Sequence, residues 1–128
     1  MAIVELKTKD LERTIDLKGL VVIDCWAPWC APCKLYGPVF ERVSAQFPEV
    51  TFARVNVDEE PGIADAFGVQ GIPTTVLFRD GVPLFEQAGL LPEPALKKLV
   101  EEASRLDMDE VRAAIAAEER KEVAAGHG

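Results

Sequence analysis

Leu20-Val21-Val22-Ile23-Asp24-Cys25-Trp26-Ala27-Pro28-Trp29-Cys30-Ala31-Pro32-Cys33 is the stretch on which the fold turns. Its first eight residues are apolar except for Asp24, which predicts a strand covered on both faces, the habit of a central strand in a layered α/β fold. Ala27 to Cys33 is the turn that follows. From about Ala31 to Phe47 the residues are helix-compatible, with Leu35, Val39, Val43 and Phe47 recurring at four-residue steps. Pro38 falls inside this helix, where it removes one backbone donor, and Pro48 ends it.

Working outward, Leu11 and Ile15 suit one face of a short helix that Gly19 breaks. Downstream, Val50 to Val57 alternates as a second strand. Pro61 opens a short helix carrying Ile63 and Phe67, with Gly68 as its stop. Thr75 to Phe78 is a third strand, Asp80-Gly81 a hairpin signal, and Val82 to Gln87 the returning strand. Leu96, Leu99, Val100 and Ala103 form the inward stripe of a further helix. This order predicts an α/β fold with a central mixed sheet flanked by helices. After Leu106 the composition changes: residues 107–128 hold six acids and three bases. Met108, Val111 and Ile115 give a thin apolar stripe, predicting an extra helix to about Ala124 and a frayed Gly126-His127-Gly128 end. The expected division is a domain over 1–106 and a helical extension over 107–128.

The chain has 128 residues, 22 acids against 14 bases, and a net charge of −8. Nucleic-acid affinity comes from clustered cations, so an unassisted nucleic-acid binder is disfavoured. No apolar run reaches the ~18 residues of a membrane span. The opening Met1 to Lys7 has neither the basic nor the apolar region of an export signal, so a cytoplasmic location is expected. Three cysteines are too few for a disulfide-stapled scaffold. The one histidine, His127, is next to last, which argues against triad, His-metal and imidazole-base chemistry.

What remains is chemistry by thiols, carboxylates or amines, and its centre is Cys30-Ala31-Pro32-Cys33. Without a second cysteine pair this is a poor zinc site, since four ligands are wanted. At the first turn of a helix it is a good redox site. The spacing brings the sulfurs within bonding reach, and the helix N-terminus favours a thiolate at Cys30. Cys30 is then the attacking nucleophile, and Cys33, one turn deeper, the resolving thiol.

Val22 to Lys34, with its Trp29-Cys30-Ala31-Pro32-Cys33 core, resembles the active-site segment of the thioredoxin family. Gly71-Ile72-Pro73-Thr74 resembles that family's cis-proline loop, and Asp80-Gly81 and Gly89 fall where it has a hairpin and a groove glycine. The resemblance spans roughly residues 3–106. It implies a thioredoxin fold and dithiol–disulfide exchange on protein substrates. Electrons would come from NADPH through thioredoxin reductase, with no bound cofactor beyond the redox-active Cys30–Cys33 disulfide, and a monomer is expected. Asp24 is a carboxyl in an apolar strand, so burial should raise its pKa; the resemblance implies that it accepts the Cys33 proton, often through water, with a satisfied buried Asp that takes no part in proton transfer as the rival reading. The resemblance also implies that Pro73 is cis and holds its backbone opposite the disulfide, where an extended substrate pairs. Trp29 is an amphipathic platform beside the nucleophile, with partial core packing as the rival reading, and Trp26 is structural. Ala31, Pro32, Ile72, Ala88, Gly89 and Leu90 form the substrate-binding rim. Cys25 reads as a small buried hydrophobe facing the layer opposite Asp24.

Two positions depart from the family pattern. Ala31 stands where glycine is usual. Arg54 stands where many members have a lysine near the buried Asp, and an arginine stays protonated. Two other functions compete with protein-disulfide reduction. An oxidase or isomerase outside the cytoplasm is disfavoured by Pro32, where such relatives tend to carry a polar residue, often His. A binding or chaperone-like module docking partners through residues 107–128 competes with the plainer expectation that this helix packs on the domain or frays.

Overall fold

In the computed structural model, which describes residues 3–126, the apolar run is the middle of a five-stranded sheet. Strand β1 spans Val4–Glu5, β2 Leu20–Trp26, β3 Thr51–Asn56, β4 Thr74–Arg79 and β5 Val82–Ala88, in the spatial order β1-β3-β2-β4-β5. β1, β3 and β2 are parallel, and β4 and β5 add antiparallel pairs. The sheet is therefore mixed, as predicted. β1 is not among the predicted strands. It has only two residues, both exposed, so no periodicity betrays it; the pairing of Val4 with Ala53 creates it. The free edge of β5 is blunted by Pro83, by a bulge beside Leu77 and Phe78, and by exposed Glu86. The hairpin turn at Asp80 (φ 52°) and Gly81 (φ 82°) needs two left-handed residues, and Asp-Gly supplies them.

Helices α1 (Leu11–Ile15), α2 (Ala31–Gln46), α3 (Pro61–Phe67) and α4 (Glu93–Arg105) cover both faces of the sheet. Alternation along β2 sorts its side chains. Leu20 and Val22 pack with Tyr36, Phe40 and Val43 of α2 and with Leu96, Val100 and Ala103 of α4. Val21, Ile23 and Cys25 pack on the other face, with Ile63 of α3 and with Leu11 and Ile15 of α1. Asp24 thus falls on the α2 side and Cys25 opposite, as strand geometry requires. Complete burial of each such Val, Leu, Ile or Phe stabilises by about 1.5–3 kcal/mol.

The buried face of α2 does not follow that four-residue series. The buried set is Cys33, Tyr36, Gly37, Phe40, Val43 and Ser44, whereas Leu35 is 69% exposed. Four residues turn a helix by about 400°, so a strict four-residue repeat winds away from a fixed face. The sheet follows the alternating three- and four-residue steps that start at Cys33.

Helix α5 (Met108–Gly126) runs slightly beyond the predicted end, and His127 and Gly128 lie outside the described residues. It starts packed: Met108 is buried, Val111 half-buried, and Arg112 lies 3.6 Å from Asp80 at the hairpin tip. The same hairpin holds the α4–α5 junction, where Arg79 Nη1 donates to the carbonyls of Ala103 (2.9 Å) and Leu106 (2.6 Å). Strand register pairs Arg79 with Leu20 and Thr74 with Cys25, so the hairpin tip is at the end of the sheet away from Cys30. Truncation after Asp107 should therefore lower unfolding stability by about 2 kcal/mol, mainly through loss of the Met108 contact. It should leave the exchange rate unchanged. Denaturant titration and an insulin-reduction assay on the truncated chain check both.

Candidate active site

Cys30 is the N-cap of α2, with extended backbone (φ −87°, ψ 110°), and Pro32 occupies the first turn. A proline there is pre-set for the helix and gives up an N–H that has no intrahelical acceptor. The Cys33 N–H donates to Cys30 Sγ across 3.2 Å, so the sulfur takes the place of a capping oxygen. One helix-end donor and the positive end of the helix dipole thus converge on Cys30, and both favour negative charge on its sulfur. Cys30 and Cys33 are joined as a disulfide, their Cα atoms 5.2 Å apart. Both are buried, Cys33 (1% exposed) slightly deeper than Cys30 (4%).

Thr74 opposite Cys25 brings the loop before β4 to the same sheet end as the disulfide. The Ile72–Pro73 peptide bond in that loop is cis, as the resemblance implied. Cys30 Sγ lies 3.8 Å from the Ile72 carbonyl oxygen. The Pro73 carbonyl is occupied, accepting from the Gly89 N–H at 2.8 Å. Gly89 has φ 94°, a left-handed conformation that a side chain would strain. Pro73 has no N–H to offer, and its carbonyl already accepts one hydrogen bond. Ala88, Gly89 and Leu90 are exposed beside it, as are Ala31 and Pro32 on α2.

Trp29 is 69% exposed, which removes its core-packing reading. Its indole Nε1 donates to Asp58 Oδ2 at 2.9 Å. Asp58 sits in a turn held by Asn56, whose Oδ1 accepts from the Asp58 and Glu59 N–H groups at 3.0 and 3.3 Å. The sequence reading missed Asp58; the Asn56-Val57-Asp58-Glu59 turn after β3 was its only local signal. An apolar groove of about 370 Å³ runs beside Trp29, lined also by Val57, Ala64, Val69, Gly71 and Ile72.

Beneath α2, Asp24 is wholly buried. Its Oδ2 accepts from Arg54 Nε at 3.1 Å, and its Oδ1 has no hydrogen-bond partner among the described residues. Burial raises its pKa from 3.8 to about 6, against the opposing pull of the Arg54 charge and hydrogen bond. The Arg54 guanidinium also lies 4.5 Å from the Trp26 ring centroid, a cation–π contact that gives Trp26 its structural role. A recess of about 240 Å³, lined by Cys33, Gly37, Arg54 and Trp26 among others, opens between Cys33 and the partner of Asp24. Burial pushes the Cys25 thiol up to about 12, so it is inert, as a buried hydrophobe should be.

The thioredoxin family model matches residues 2–102. A thioredoxin of Chlamydia muridarum is 43% identical over 82 residues, covering 64% of this chain and 80% of its own. One from Mycoplasma pneumoniae is 38% identical over 99 residues, covering 77% and 97%. The solved structure of a mutant thioredoxin from Halobacterium salinarum superposes with a TM-score of 0.75 at 36% identity, covering 82% of this chain and 92% of that one. Among the described residues no helix is long and apolar enough to cross a membrane. With a disulfide capping a helix, a cis-proline loop against it and relatives matching along most of their length, the chain belongs to the thioredoxin family, a thiol–disulfide oxidoreductase working through Cys30–Cys33 on disulfide-bearing partners.

Proposed function

We propose that this protein reduces the disulfides of other proteins in the cytoplasm as a monomer, resupplied with electrons by thioredoxin reductase. The observation that carries the reading is the Cys30 sulfur at the N-cap of α2, accepting the Cys33 N–H at 3.2 Å. In the reduced protein the same position stabilises a thiolate. That thiolate attacks one sulfur of the substrate disulfide, forming a Cys30 mixed disulfide and expelling the other substrate sulfur as a thiolate. Cys33 gives its proton to Asp24, directly or through water in the recess. The resulting thiolate attacks Cys30 Sγ, releasing the second substrate thiolate and closing Cys30–Cys33. Two electrons pass to the substrate, and the protein ends in the oxidised form described above.

The substrate chain extends along Ile72, pairing with its backbone, and sets an apolar side chain in the groove beside Trp29. Ala31, Pro32, Ala88, Gly89 and Leu90 border it. Pro32, rather than a polar residue between the cysteines, supports reduction over oxidation. Cys33→Ser tests the division of labour. Attack by Cys30 then proceeds without resolution, so a stable mixed disulfide with substrate is expected on non-reducing gels and by mass. Failure of that adduct to form, with the variant folded, would reverse or remove the assigned roles.

A further inference from the structure

Trp29 and Leu35 are the two most exposed of the large apolar side chains described, each at 69%. Both flank the disulfide, one residue before Cys30 and two after Cys33. An exposed leucine alone means little. Leu35, however, is three and four residues from Pro32 and Ala31 and three from Pro38, all exposed. On a helix those spacings make neighbours. Ala31, Pro32, Leu35 and Pro38 are therefore one apolar stripe on the outward face of α2. It begins between the two cysteines and runs about 10 Å along the helix.

The substrate strand assigned above runs along Ile72, whose carbonyl oxygen is 3.8 Å from the Cys30 sulfur, and it meets this stripe only at its start, at Ala31 and Pro32. Neighbouring strands are spaced by about 4.8 Å, so one extended segment at Ile72 does not also cover a face reaching about 10 Å back along α2. A folded surface around the disulfide does. We propose that Leu35 and Pro38, which continue this face beyond Ala31 and Pro32, are a second contact region for disulfide-bearing substrates, engaged by an apolar surface that a folded protein presents beside its disulfide. Leu35 is its central residue and discriminates protein disulfides from small ones. The proposal rests on the exchange reading, since the stripe continues directly from the reacting sulfurs.

The test uses the reduced full-length protein in single-turnover reactions with two oxidants, insulin and the small aryl disulfide dithiobis(nitrobenzoate). The variants are Leu35→Gln, which keeps size, charge and helix compatibility, and Leu35→Met, which keeps an apolar side chain. For Leu35→Gln the rate constant with insulin should fall about tenfold, equivalent to about 1.4 kcal/mol, while that with the aryl disulfide stays unchanged. Leu35→Met should stay within about twofold of the parent on both. An equal loss on both oxidants would mean the substitution alters the thiols and would overturn the proposal, as would no loss on either. Sedimentation of the parent chain supplies the rival occupant: a dimer abolished by Leu35→Gln would assign the face to a second copy and overturn it too. A parent protein inert toward both oxidants would instead sink the exchange reading, and this proposal with it.

Discussion

Replacing Cys30 by serine should leave a folded protein whose disulfide-exchange rate has dropped by more than about a thousandfold, because a hydroxyl does not ionise at neutral pH and forms no disulfide. The fold should survive because serine is itself a favourable N-cap residue, so the start of α2 keeps an acceptor for the Cys33 N–H. The proper stability reference is the reduced parent protein. The native disulfide closes a short loop, worth about 2 kcal/mol by chain-entropy arithmetic, and any variant of either cysteine loses that contribution. Single-turnover rates with insulin, alongside denaturant titrations of the variant and the reduced parent, separate the two effects. A variant that retained even a tenth of the parent rate would mean that exchange begins at another sulfur. Cys25 is the only other cysteine, buried and with its pKa near 12, so it offers no practical substitute.

The site was legible to the extent that it is local. The Cys30–Cys33 spacing, the proline at the helix start and the apolar strand before them are adjacent in sequence, and their chemistry follows from helix-end electrostatics. The cis-proline loop is remote in sequence, and only the family resemblance linked it to the disulfide. Strand pairing between Thr74 and Cys25 explains the meeting. What the residues did not reveal is set by packing across the sheet. β1 is too short to carry a period. Asp58 reaches Trp29 through a turn whose partner is 29 positions away. Leu35 resembles a core residue on a four-residue count, and only the sheet beneath α2 decides which face of that helix is inside. Arg54 was placed near Asp24 by the resemblance alone; its bond to one carboxylate oxygen, leaving the other without a partner, is visible only in three dimensions.

Under the proposed mechanism, that arrangement makes Asp24 the residue where stability and function oppose each other. Its folded-state pKa, about 6, lies above the ordinary 3.8 because burial disfavours the charge more than Arg54 favours it. Between those two values the folded protein holds a proton that the unfolded chain has released. Stability therefore falls as pH rises through the window, the reverse of an ordinary salt-bridged aspartate. The penalty is absent below about pH 4 and complete above about pH 6, where it reaches about 3 kcal/mol. Asp24→Asn keeps the shape and removes the titration. Relative to the parent, it should gain about 3 kcal/mol between pH 4 and pH 7 in paired denaturant titrations. Arg54 tolerates the loss of its partner because it is 23% exposed and stacked on Trp26. Under the proposed mechanism the same substitution removes the acceptor for the Cys33 proton. Release of the Cys30 mixed disulfide at pH 7 should then slow by about tenfold or more. That is below the ~10²–10⁴ of a fully positioned base, because water in the recess beside Cys33 can take part of the role. The pH midpoint of that step should move upward from near 6. An Asp24→Asn protein more stable at neutral pH but unchanged in rate and pH midpoint would make Asp24 a buried charge without a catalytic part. One slower in release and no more stable would place its pKa close to that of a solvated carboxyl.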